Sequence, residues 1–351
     1  MTNSTSFAFV GFGFRAATMW RLAAELPDVT CVGAVVRTPR DLPVPRLASL
    51  TDCLASARPR FLVTAVPPRA NPDILVEAVA HGVPVLSETP PAPDLDGLRR
   101  LWTTIGSSGL VQVAEQYLLM PGHAARLALV REGVIGTPTS VQVSSTHLYH
   151  AVSLIRGLLG TGFEVAEVRA ITHTAPLANP LGFDGWTGDG TPQQLATTIA
   201  TIDFGGTMGL YDFTDNQWWN PLRMRRIVIR GSIGEMADDR VVRLADPATP
   251  VESRLIRRQT GVDLNLELLD LKHISFDGRV IYRNPFAGAA RSDDDIAVAD
   301  ILERTGAWTR QEGPPPYPLA EACQDHLISL AIIEAAKGGA AVTIGKEAWA
   351  G

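Results

Sequence analysis

The chain has 351 residues, enough for two domains with cores of their own. It is 46% hydrophobic and 19% charged with a net charge of −6, which excludes a disordered chain and leaves no basic excess of the kind that neutralises phosphates in nucleic-acid binders. The three cysteines, Cys31, Cys53 and Cys323, are odd in number and far apart, so neither a disulfide framework nor a metal site is expected.

The N-terminus "MTNSTSFAFVGFG" has no basic stretch before its apolar run, and no later run is long enough to span a bilayer. A cytoplasmic protein with a small-molecule ligand, no nucleic acid and no membrane partner is the expectation. The apolar runs "FAFV" (7–10), "TCVGAVV" (30–36), "RFLVTAV" (60–66), "VPVLS" (83–87) and "LVQVA" (110–114) alternate with helix-like segments. Continuous apolar strands separated by helices predict a parallel sheet buried on both faces, an α/β Rossmann-type dinucleotide-binding domain over residues 1–121.

Directly after the first run, "VGFGFRA" sets Gly11, Gly13 and Ala16 in a G-x-G-x-x-A pattern that opens a helix. Gly11 permits a tight turn, Gly13 lets the backbone approach a pyrophosphate, and Ala16 packs helix on strand. Phe12, Phe14 and Arg15 belong to the same loop, and Val66 and Pro67 end the third run along the same sheet edge. The second run ends in Val36-Arg37-Thr38-Pro39-Arg40, without the carboxylate that accepts hydrogen bonds from the ribose of NAD. Arg37, Thr38 and Arg40 suit a 2′-phosphate, so NADP is expected over NAD. Glu88 and Glu115 fall at or just beyond strand ends, the edge where open α/β sheets bind ligands.

The pattern then changes. "GHAARLALVREGVIG" carries Leu127, Val130 and Val134 at helical spacing and stops at Gly136. Beyond about residue 138, period-two strands with glycine turns follow, as at Gly205-Gly206 and in "RRIVIRGSIGEMADDRVVRL". They predict an α+β domain over residues 122–351 with an open, mainly antiparallel sheet whose free face suits a homo-oligomer. Residues from about 246 to 316, with "RSDDD" and "GPPPYP", read as an irregular elaboration. A final helix, "LAEACQDHLISLAIIEAAKGG", stops at Gly338-Gly339.

Several of these stretches together resemble the Gfo/Idh/MocA family of NAD(P)-dependent oxidoreductases over nearly the whole chain. "VTAVPPRANPDILVEAVAHGVPVLSETPPA" is similar to the family's strand, Pro-rich turn, helix and strand leading to Glu-Lys-Pro, with Asn71 where a histidine is common. "MPGHAARLALVREGVIGTPTSVQV", "THLYHAVSLIRGLLG" and "YPLAEACQDHLISLAIIEAAKGGAAVTI" resemble its later segments. The resemblance implies hydride transfer at a carbinol carbon of a sugar, cyclitol or related polyol. It also implies a catalytic lysine in Glu-Lys-Pro and an aspartate four residues before a histidine. Here the histidine matches His150, while Thr146 stands at the aspartate position and Thr89 at the lysine position. No lysine occurs in the first 271 residues, only Lys272, Lys337 and Lys346 beyond them.

Oxidising an alcohol needs a base for the hydroxyl proton, and a histidine such as His150 can take or return one. Glu88 and Thr89, from the matched motif, complete the candidate catalytic set. His147 and His150 lack a third ligand for zinc. Tyr149 and Thr146 flank the histidine, and Trp186, Trp218 and Trp219, with Asn220 nearby, are candidates to pack on sugar rings. Two other readings stay open: a lyase or glycosidase using a retained nicotinamide, and a dinucleotide-binding sensor without catalysis.

Overall fold

The computed structural model describes residues 4–38, 41–262 and 266–351. The chain forms two compact units, one of Met1–Met120 with Arg291–Gln324 and Ala348–Gly351, the other of Pro121–Ala290 with Asp325–Glu347. The first segment ends beside the boundary expected at residue 121. A second domain running unbroken from 122 to 351 is not what forms, because the segment 291–324 clusters with the first unit.

In the first unit, strands β1 (Thr5–Val10), β2 (Val29–Val35), β3 (Arg46–Leu47), β4 (Phe61–Thr64), β5 (Val85–Ser87) and β6 (Val111–Val113) alternate with helices α1 (Phe14–Ala23), the single turn α2 (Leu50–Asp52), α3 (Asn71–Ala80) and α4 (Leu95–Ile105). All pairings are parallel and the order is β3-β2-β1-β4-β5-β6, which reverses between β1 and β4. The five apolar runs become five of the strands. The two-residue β3 is too short for a sequence pattern. Phe7 and Phe61 are register partners and stack at 5.2 Å, both fully buried, which fixes β1 against β4.

The second unit begins with α5 (Pro121–Arg131), β7 (Pro138–Ser144) and α6 (Leu148–Leu159). Pro121, Ala125 and Leu129 form the buried face of α5, not Leu127, Val130 and Val134. The helix stops at Arg131, ahead of the expected Gly136, because Gly133 and Gly136 both take positive φ, +72° and +75°. Next come β8 (Ala166–Ala178), a small hairpin of β9 (Leu181–Gly182) and β10 (Gly185–Trp186), β11 (Pro192–Asp203), β12 (Met208–Thr214), β13 (Arg226–Gly231), β14 (Gly234–Ala237), β15 (Arg240–Asp246) and β16 (Thr249–Arg254). With β20 (Val342–Ile344) they make a nine-stranded sheet in which β7 and β12 form the parallel pair. The hairpin turn at Gly205-Gly206 lies between β11 and β12, where the sequence placed it.

The stretch 246–316 is more regular than its sequence suggests. It contains β16, then a three-stranded sheet of β17 (Ile256–Thr260), β18 (Asp270–Phe276) and β19 (Arg279–Arg283), and the helix α7 (Asp293–Thr309). Charged residues on the exposed positions, such as Arg257 and Arg258, and a fully buried Asp270 hide the alternation. Burial penalises the Asp270 charge, but Lys272 at 2.7 Å and the amides of Gly288 and Ala290 hold its carboxyl below the usual range. "RSDDD" is a helix start: Ser292 accepts from the Asp295 amide, and three aspartates in the first turn suit the positive end of α7.

The last helix, α8 (Leu319–Gly338), ends as expected, with Gly339 at φ +68°. In the second unit Asp325 of α8 meets Arg156 of α6 at 2.6 Å with both side chains buried, and the Arg156 guanidinium also donates to the Gly162 carbonyl. Among the described residues no helix is long and apolar enough to cross a membrane. Removing one partner of a buried pair strands the other charge, so Asp325→Ala is expected to cost about 3–5 kcal/mol, read as a lower urea midpoint. The double variant Asp325→Leu with Arg156→Met should recover most of that loss.

Candidate functional site

A cavity of about 870 Å³ opens at the carboxyl edge of the parallel sheet, where the strand order reverses. It forms because the chain turns sharply at Gly11. The Gly11 amide donates to the Val35 carbonyl at 2.9 Å and φ is +85°, and an added Cβ would collide with the carbonyl oxygen of Ala65. The protein's own packing therefore demands glycine there. Gly13 is different: it caps α1 at φ −81° and ψ −167°, and no atom lies within 4 Å of an added Cβ. Nothing in the chain requires glycine at Gly13, whereas close approach of a ligand would. Ala16 is fully buried, as helix-on-strand packing requires.

Phe12, Arg37, Thr38, Val66 and Pro67 line the cavity with the two glycines. Phe12 is buried edge-on against Phe9, and Arg37 and Thr38 are exposed. Phe14 is 69% exposed and, with Arg15 and Glu88, is not part of that lining. Arg40 lies outside the described residues. Two lining residues escaped the sequence reading: Arg46 on β3, beside Ala34 of β2, and Glu77 on α3. The prolines around Arg46 gave no strand signal.

Glu88 and Thr89 follow β5. Glu88 accepts from the Arg15 guanidinium at 3.0 Å through one oxygen and from the Thr89 amide at 3.2 Å through the other. Arg15 reaches Asp294 at 3.3 Å, and Gln116 donates to the same carboxylate at 2.8 Å. Burial opposes the Arg15 charge, but Glu88 and Asp294 outweigh it and hold the guanidinium firmly protonated. Asn71, where the family favours histidine, is buried and donates to Ser87 Oγ (2.7 Å) and to the Pro91 carbonyl (3.2 Å), bracing the turn that carries Glu88 and Thr89. Glu115 is also buried and accepts from the Tyr117 amide.

The second unit carries the other candidates. Thr146 is fully buried and its hydroxyl has no partner. Because α6 starts at Leu148, His147 occupies the cap and His150 the first turn. Their rings meet at 5.2 Å; an extended chain would have sent them apart. Burial first, and His150 second, pushes the His147 ring down to about 4, so it is neutral at physiological pH. Tyr149 is buried, its ring 5.5 Å from that of His150.

Trp218 packs edge-on against His147 at 4.6 Å, and Trp219, half exposed, packs against Phe183. Trp186 is 72% exposed on the small hairpin. Asn220 is a structural residue, its amide donating to the Ala178 carbonyl and accepting from the Leu222 amide. Gln217, missed in the sequence, stitches the tryptophan loop to the end of β7 by donating to the Ser144 and Met224 carbonyls.

No protein-family profile matches the chain, and no curated protein sequence does. Solved structures match over nearly its whole length. An oxidoreductase from Agrobacterium radiobacter in complex with NAD+, L-tartaric acid and magnesium is 16% identical with a TM-score of 0.69, covering 97% of this chain and 98% of its own. A levoglucosan dehydrogenase in complex with NADH is 16% identical at a TM-score of 0.71, covering 98% and 100%. A myo-inositol dehydrogenase from Corynebacterium glutamicum is 18% identical at 0.65, with the same coverage. The chain has the two-part fold of these enzymes, as the resemblance implied.

The two glycines separate experimentally. Gly13→Val should leave the thermal midpoint within a few degrees of wild type while abolishing binding of NAD or NADP in calorimetry. Gly11→Val should lower the midpoint itself.

Proposed function

We propose that this chain is a nicotinamide-dinucleotide-dependent oxidoreductase acting in the cytoplasm on a sugar, cyclitol or related polyol, with a catalytic set unlike that of the family it resembles. The observation that carries this reading is Gly13, a glycine without a structural need of its own at the mouth of the cavity. The N-terminus of α1, beginning at Phe14 with no acid in its first turn, suits a diphosphate there. The enzymes that share the fold and bind NAD or NADH add support.

A bound nicotinamide would supply the acceptor or donor of hydride. His150, in the first turn of α6, is the group assigned to take up or return the hydroxyl proton. Thr89 can hydrogen-bond but cannot bring the positive charge that a lysine offers a developing alkoxide. Glu88, with both oxygens engaged, acts on this reading through Arg15 and the Thr89 backbone rather than as a base. Thr146, Tyr149, Trp218 and Trp219 are assigned to the substrate.

Arg37 lines the cavity with Arg46, which supports NADP over NAD. Ile171 and Met208, exposed on one face of the large sheet, support a homo-oligomer formed there. The buried, unpartnered Thr146 hydroxyl favours one rival, a dinucleotide-binding sensor without catalysis. In that case oxidation would be absent while NADP still binds.

Calorimetry should find NADP tighter than NAD, with Arg37→Asp reversing the order; equal affinities unmoved by the change would refute the preference. For catalysis, His150→Ala should lower turnover of a polyol panel about 10²–10⁴-fold with cofactor affinity retained. Thr89→Lys should raise that turnover. A folded His150→Ala variant with wild-type rates would overturn the assignment.

A further inference from the structure

A second cavity, of about 380 Å³, lies wholly within the second unit, and His150 does not line it. It begins where the hydrophobic face of the large sheet ends. Across the β8–β11 ladder the same-face pairs run Val168 with Ile202, then Ala170 with Ala200, then Thr172 with Thr198. The first two pairs are apolar. At the third, two hydroxyls face each other, bonded at 2.7 Å, and both line the cavity. β-branched apolar residues would continue the core equally well on a strand, so the change to threonine is a change of purpose.

The remaining walls combine complementary chemistry. Trp218, held edge-on by His147 at 4.6 Å and by Phe213 at 4.9 Å, gives an aromatic wall. His147 is neutral, offering one ring nitrogen as donor and one as acceptor, and its Nδ1 is buried without a partner. At the rim stand one cation, Lys337 from the last turn of α8, and one anion, Asp215. A charged ligand would meet a like charge here. A neutral molecule with many hydroxyls would find donors, acceptors and an apolar surface for a ring face. The volume is at the small end of the ~300–1,000 Å³ common for ligand sites.

We propose that this cavity is a second ligand site, separate from His150, which takes an uncharged polyhydroxylated molecule of monosaccharide size. It needs no dinucleotide, so it can be tested apart from the redox reading. Saturation-transfer NMR on the full chain without cofactor would use myo-inositol and methyl α-D-glucopyranoside as neutral probes and D-gluconate as the charged one. The near-isosteric Thr198→Val and the rim variant Lys337→Met should each weaken neutral-probe binding at least tenfold, while His150→Ala leaves it unchanged. NAD and NADP affinities serve as the folding control and should not move.

Binding lost in His150→Ala but kept in Thr198→Val and Lys337→Met would overturn the second site and leave the oxidoreductase reading standing. Absence of binding by either neutral probe, or gluconate binding more tightly than both, would also overturn it.

Discussion

The left-handed turn at Gly11 is the constraint on which the first unit depends. β1 and β4 lie side by side, locked by the Phe7–Phe61 stack, and the chain leaving β1 must pass the Ala65 carbonyl at the end of β4. Only a residue without a Cβ passes at φ +85°. That close passage makes the carboxyl edge concave at the one place where the strand order reverses, and it delivers the start of α1 to the cavity. The cofactor site is thus a by-product of how two neighbouring strands end.

The same turn places Arg15 in the first turn of α1, where a cation works against the helix dipole. Glu88 and Asp294 offset it from two distant parts of the sequence, and Arg21 with Asp295 adds a second tie between α1 and α7. A carboxylate that the family resemblance places in a catalytic motif is here spent on holding a helix. Chemistry at this site has to be carried by other groups, and Thr89 offers only a hydroxyl.

The first-unit strands were legible because each is buried on both faces and reads as a continuous apolar run. β3 was not, since two residues carry no period. The stretch 246–316 hid its strands for a different reason: its alternation is between exposed charge and sparse core, and its buried Asp270 looks like a surface residue until Lys272 and two amides are seen around it. In the sites, Gly11 and Gly13 were recognisable by spacing, but the sequence could not tell that packing explains one and not the other. Arg46, Glu77 and Gln217 became visible only in three dimensions, because each reaches its place through a turn or a lateral strand rather than a motif. The pairing of His147 with His150 depended on a single boundary, the start of α6 at Leu148.

The lysine distribution has a chemical corollary. Lys272, Lys337 and Lys346 all belong to the second unit, so the first, with its dinucleotide cavity, has no side-chain amine. Open-chain aldoses and ketoses condense with primary amines to imines and then to irreversible rearrangement products. Arginine, which supplies the cations around that cavity, remains protonated and forms no such imine. The first unit is therefore intrinsically resistant to glycation, and any amine-directed label placed on this protein will report on the second unit.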